Sequence, residues 1–226
     1  MNKIHLLTSV ASVTLSLVLA LTATLAFSTG MVKIAASESI PVIAIQETAM
    51  PVVDVPKHRS IVDNLLIVFH VGREVGNPET LQAILMQESG GSAQRAVGNI
   101  GSPVGKRSYG LMQVQLVAAR SILLRNPKLV DLYFPDRVYK SLADEEIIAL
   151  LLTNDEANAR IAAHHFKLYL AISHGDWNRA VAAYSAGIGG VNNIPNPSEY
   201  PYVQSIKAKM TEVVRPFNRT HKLLIL

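Results

Sequence analysis

The sequence predicts a mainly α domain over about residues 60–214, behind an apolar N-terminal segment. Three observations carry that prediction. Cap residues recur at intervals that suit helices, apolar residues follow each cap at helical spacing, and strand signals are weak throughout. Of the 226 residues, 49% are hydrophobic and 17% charged, so there is enough apolar surface to offset the entropy of ordering a core. Lys and Arg number 21 against 17 Asp and Glu, a net charge of +4 that suits an acidic polymer without specifying one. The chain has no cysteine, which excludes a disulfide framework, a thiolate zinc site, a cysteine nucleophile and a lipoprotein anchor.

Lys3 is the sole Lys, Arg, Asp or Glu in residues 1–32, and Leu6 to Val32 is uncharged. One positive charge, an apolar core and then small residues (Ala23, Ala26, Ser28) make a secretory signal, with cleavage expected near Ala26 or Ser28. The uncharged run is also long enough to span a bilayer as an uncleaved anchor. Either way the remainder is expected outside the cytoplasm: exported, periplasmic, and in contact with the inner membrane if the segment stays uncleaved. Residues 1–28 are therefore assigned to this signal or anchor. Residues 29–58, with prolines at 41, 51 and 56 and no helical period, are assigned to an extended tether. The domain is placed at 59–216 and a tail at 217–226.

Ser60 is positioned to cap a helix bearing Ile61, Leu65, Val68 and Phe69, ending near Gly72–Gly76. Asn77-Pro78-Glu79 is a start signal of cap, proline and first-turn acid for a helix reaching Glu88. A polar, glycine-rich loop is expected to Tyr109, a helix over roughly 113–124, and irregular chain around 127–137. Asp144 and Asn154 precede helical runs, the second reaching Leu170. Asp176 caps another, which ends at Gly187, and Ser198 caps a last helix to about Val214.

Leu81, Ile84, Leu85 and Glu88 fall at i, i+3, i+4 and i+7 and so share a face. Burial beside leucine and isoleucine, and the partial negative charge of a helix C-terminus, both oppose ionisation of Glu88. A protonated carboxyl facing a groove is what glycosidic-bond cleavage needs as general acid. Periodicity alone favours the plainer reading, an exposed glutamate at a frayed helix end.

Four segments then occur in order: Glu88-Ser89, Ser108-Tyr109-Gly110-Leu111-Met112-Gln113, Ala183-Tyr184-Ser185-Ala186-Gly187 and Tyr200-Pro201-Tyr202-Val203. Together they resemble the soluble-lytic-transglycosylase (SLT) family, over about Ser60–Thr211. The resemblance implies a single lysozyme-like catalytic domain acting on peptidoglycan glycan strands, with no cofactor, no metal and no nucleic-acid partner. It implies Glu88 as the catalytic acid and base. Ser89, Gly110, Met112, Gln113, Tyr184 and Tyr202 are implied at the substrate: Ser89 holding the helix end, Gly110 allowing close backbone approach, Met112 and Gln113 lining the sugar cleft. Tyr184 would wall the acid's pocket, and Tyr202 would reach the acid or the sugar. Asn158 is implied as a structural tie to the cleft floor.

Read from the residues alone, Tyr184 could be core, Met112 a gap-filler and Tyr202 a helix anchor. Ser185 stands where the family has Asn, and Ala159 where it has Ile. Ser108-Tyr109-Gly110 is similar to the specialised enzymes that open the wall for secretion or conjugation machines. A hydrolytic muramidase on the same fold would need a second carboxylate, with Asp155, Asp176 and Glu199 as distant candidates. A non-catalytic wall-binding module is the alternative from another class.

Other motifs fail on inspection. Residues 98–108 lack the first glycine of a phosphate loop, and Gly187-Ile188-Gly189-Gly190 follows a helix rather than a strand. His164-His165 are adjacent on a helix and point apart, so they suit no single metal; one is expected at the surface and one partly buried. Asn218-Arg219-Thr220 is a chance glycosylation triplet.

Overall fold

The computed structural model describes residues 59–92 and 97–223, and everything below concerns those residues. The expected signal or anchor and the expected tether lie outside them. No described helix is long and apolar enough to cross a membrane.

Helix α1 (Ile61–Glu74) opens on a capping box: the Ser60 hydroxyl accepts from the Asp63 N–H while the Asp63 carboxylate accepts from the Ser60 N–H. Helix α2 (Pro78–Glu88) starts and stops where its signals place it. Its Asn77 cap is different, because that side chain donates to the Val75 carbonyl instead of accepting from the helix. Leu65, Val68 and Phe69 of α1 and Leu81, Ile84 and Leu85 of α2 are buried, so the two helices close on each other through their apolar stripes.

The expected loop before Tyr109 contains a small antiparallel sheet of order β1 (Val97–Gly98), β2 (Ser108–Tyr109), β3 (Val114–Gln115). Val97 pairs with Tyr109, and Tyr109 with Val114. Because β3 takes Val114 and Gln115, helix α3 (Leu116–Arg125) begins later than its periodicity suggests. The stretch expected to be irregular holds a short helix, α4 (Pro127–Tyr133), with proline at its start.

Helix α5 (Asp144–Thr153) leads into α6 (Asp155–Ile172), whose cap Asn154 accepts from the Ala157 N–H. The central helix α6 packs against α1, α3, α5 and α7. Asp176 caps α7 (Trp177–Val191), where Ala180 and Val181 are buried and the Trp177 indole donates to Thr80 of α2. The expected end at Gly187 is a break: its φ of 71° and ψ of 164° are a conformation essentially reserved for glycine. One more helical turn then carries the chain to Val191.

Ser198 does not cap the last helix. It lies in a 3-10 turn (Pro197–Glu199) capped by Asn196, and α8 (Pro201–Lys209) begins at Pro201. A π turn (Met210–Val214) joins α8 to α9 (Arg215–Thr220). Pro216 has no N–H to continue the α ladder, which favours this register change.

Helix α9 runs through the expected start of the tail. Asn218 is fully buried and exchanges hydrogen bonds with Gln82 (2.8 and 3.0 Å), and Gln82 also donates to the Leu65 carbonyl. This buried amide pair ties the C-terminal helix to α2 and α1, and it leaves the Asn218 side chain inaccessible for glycosylation.

Candidate active site

A cleft of about 600 Å³ opens beside the end of α2. Gln87 and Glu88 stand on one side with Tyr202 of α8 and the Tyr184–Ile188 end of α7. Asn99, Ser108 and Gln113 of the sheet region also line it. Helix α3 contributes Val117, Ala118 and Ser121. Helix α6 contributes His165, Leu168, Tyr169 and Ile172.

Glu88 reaches this cleft because it extends the buried stripe of α2 by one turn. Leu81, Ile84 and Leu85 on the same face are almost wholly inaccessible, and the carboxyl half-emerges beyond them. Burial raises its pKa above 4.5, against a smaller lowering by the Tyr202 hydrogen bond. The Tyr202 hydroxyl donates to Glu88 Oε1 at 2.5 Å. Burial, with the Glu88 charge beside it, pushes the Tyr202 phenol well up, so Tyr202 stays a donor wherever Glu88 titrates. The acid is thus oriented by a neighbour, and its burial favours the protonated form, the direction a proton donor needs.

The segment that carries Gln113 is anchored on Asn158, which is fully buried in α6. Its Oδ1 accepts from the Met112 N–H at 2.8 Å, and its Nδ2 donates to the carbonyls of Tyr109 (2.8 Å) and Leu151 (3.0 Å). Gly110, at φ 70°, passes directly over this amide; a Cβ there would collide with the Leu151 carbonyl and with Asn158 Nδ2. The tight passage turns Gln113 into the cleft at φ 50°, with its Nε2 donating to the Gly110 carbonyl at 2.9 Å. The Tyr184 hydroxyl donates to the Met112 carbonyl at 3.1 Å, so α7 and α6 grip the same short segment.

Glu88, Gln113, Tyr184 and Tyr202 therefore converge on one cleft. Three residues expected at the substrate do not line it. Ser89 is buried and its hydroxyl turns back to the Leu85 carbonyl at 3.3 Å. The Met112 side chain is fully buried in the core, and only its backbone serves the site. Gly110 lies beneath the cleft, against Asn158. Ser185, at the position that departs from the family, is an exposed lining residue.

Sequence reasoning missed the wall made by α6. His165, Leu168, Tyr169 and Ile172 fall at i, i+3, i+4 and i+7, a stripe as regular as that of α2. His164 and His165 are both half-buried, and among the described residues no group of His, Asp and Glu could hold a metal.

A mainly helical domain that holds a desolvated acid beside an open cleft offers a proton donor to a ligand lying there. The family model described as Transglycosylase SLT domain matches residues 70–199, more than half of the chain. The chain belongs to this family, whose members are peptidoglycan lytic transglycosylases. No curated protein and no solved structure matches the chain.

Proposed function

We propose that this protein is a lytic transglycosylase that cuts the β-1,4 bond between N-acetylmuramic acid and N-acetylglucosamine, with Glu88 as its one catalytic carboxyl. The observation that carries this reading is the state of Glu88: desolvated, held by the Tyr202 hydroxyl, and the one carboxylate among the residues lining the cleft.

Protonated Glu88 gives its proton to the glycosidic oxygen as the bond to C1 breaks. The cleft and the substrate's own N-acetyl group stabilise the positive charge that develops at C1. Ionised Glu88 then takes the proton of the muramoyl C6 hydroxyl, whose oxygen attacks C1 and closes a 1,6-anhydro ring. The acid ends as it began, so the cycle needs no water and no second acid.

A general acid contributes roughly two to four powers of ten in rate, so positioning of the glycan supplies much of the remainder. A hydrolytic muramidase would place a second carboxylate at the cleft to serve water or C1. Asp155, Asp176 and Glu199 do not line it; Asp176 is spent capping α7, and Glu199 is exposed on a 3-10 turn.

The same reading has an exported enzyme acting in the bacterial envelope, with local wall opening for a secretion or conjugation apparatus as its specialised role. Mass spectrometry of muropeptides released from wall sacculi tests the chemistry, with Glu88→Gln as control. The expected product is lighter by one water than the hydrolytic product, and Glu88→Gln releases none. Hydrated products, or turnover by Glu88→Gln, overturn the proposal.

A further inference from the structure

The aromatic side chains of the cleft differ in what their polar atoms do. The Tyr202 hydroxyl is committed to Glu88 and the Tyr184 hydroxyl to the Met112 carbonyl. His165 and Tyr169 on α6 also line the cleft, and among the described residues neither ring makes a hydrogen bond to protein. Neither has a polar atom sealed in the core without a partner, so the polar atoms of both keep some accessible surface on residues that line the cleft.

Their rings are fixed all the same. His165 lies 4.3 Å, centroid to centroid, from Tyr169 and 5.8 Å from Tyr184. Leu168 and Ile172 continue the same face of α6, and Ile172 and Ile188 leave apolar surface exposed along the cleft.

We propose that His165 and Tyr169 form a sugar-recognition subsite, in which the imidazole edge and the phenol hydroxyl hydrogen-bond an acetamido or hydroxyl group of a pyranose ring lying against the apolar part of this wall. The inference deepens the lytic-transglycosylase reading and rests on it, since it names how the same cleft grips the strand away from the bond that is cut. Burial depresses the imidazole to about 4, so at neutral pH one ring nitrogen donates and the other accepts. That pairing matches an acetamido group, which offers one carbonyl and one N–H. Rings already packed in place lose little side-chain entropy when a ligand binds. Both are specificity residues: neither is placed at the reacting atoms.

The test uses the purified protein with His165→Phe, His165→Gln and Tyr169→Phe. Two readouts are taken: KM and kcat on wall sacculi, and calorimetric binding of tri-N-acetylchitotriose. His165→Phe keeps a flat ring and loses both nitrogens; it is expected to raise KM and the probe's Kd about tenfold, roughly 1.4 kcal/mol, with kcat within about twofold of wild type. Partial recovery is expected from His165→Gln. Tyr169→Phe, which removes one oxygen and keeps the packing, should weaken binding severalfold even if the histidine variants fold poorly.

Unchanged KM and Kd in His165→Phe and Tyr169→Phe overturn the subsite, as does a fall confined to kcat, which would mean that the rings act through Tyr184 on the acid. A wild-type protein that releases nothing from sacculi overturns the functional reading, and the subsite falls with it. A wild type that is active beside variants of unaltered KM overturns the subsite alone.

Discussion

Removing the Asn158 side chain should cost this protein much of its stability. In Asn158→Ala the Met112 N–H and the carbonyls of Tyr109 and Leu151 lose their shared partner. All three residues are buried to 1% exposure or less, so water does not readily replace the amide. An unsatisfied buried group costs about 1–3 kcal/mol. The Met112 N–H bears the full penalty because it has one hydrogen to give, whereas a carbonyl keeps a second lone pair for other donors. The expected loss is about 3–5 kcal/mol, a large share of the roughly 5–15 kcal/mol that holds an ordinary domain together. Asn158→Asp is a sharper control: it retains an acceptor for the Met112 N–H but turns an acceptor toward two carbonyls. It should also destabilise at neutral pH. Urea unfolding followed by circular dichroism at 222 nm measures both. A loss below about 1 kcal/mol in Asn158→Ala, at unchanged m-value, would refute the claim that this amide holds the cleft wall.

Two further outcomes follow from the acid. The folded-state pKa of Glu88 is raised above 4.5, so its favourable contribution to folding is full below that value and is lost as pH rises through the raised pKa. Glu88→Gln should therefore match wild type in Tm at low pH and exceed it at neutral pH; a variant less stable than wild type at neutral pH contradicts the desolvation argument. Tyr202→Phe removes the hydrogen bond that lowers the Glu88 pKa. The limb of the activity profile where the acid deprotonates should move to higher pH while the maximal rate falls, and a move to lower pH counts against it.

The helices were legible where cap chemistry and periodicity agreed. Pro78-Glu79 opens α2 although the Asn77 side chain does not cap it, the row Leu81, Ile84, Leu85 aims Glu88, and Asp176 caps α7. The glycine expected to end α7, Gly187, instead breaks it in a conformation that suits little else, and one more turn follows to Val191. The three strands have two residues each, too few to show a period of two, so they were hidden inside a loop and delayed the start of α3.

Within the site, proximity in the chain mattered less than the family motifs. Glu88 and Tyr202 meet across 114 positions, and no local pattern joins them. A motif also does not say which way a side chain points: Met112 and Ser89 sit in motif segments, yet one is packed in the core and the other bonds back to its own helix. The α6 stripe from His165 to Ile172 had a readable period, but its polar members hid a face that lines a cleft rather than the core.

The central chemical claim is that the muramoyl C6 oxygen, and not water, attacks C1 under the control of a single carboxyl. Digestion of sacculi in oxygen-18 water addresses it most directly. Intramolecular closure predicts soluble anhydro-muropeptides without the heavy isotope; one labelled oxygen at each newly formed reducing end would contradict it.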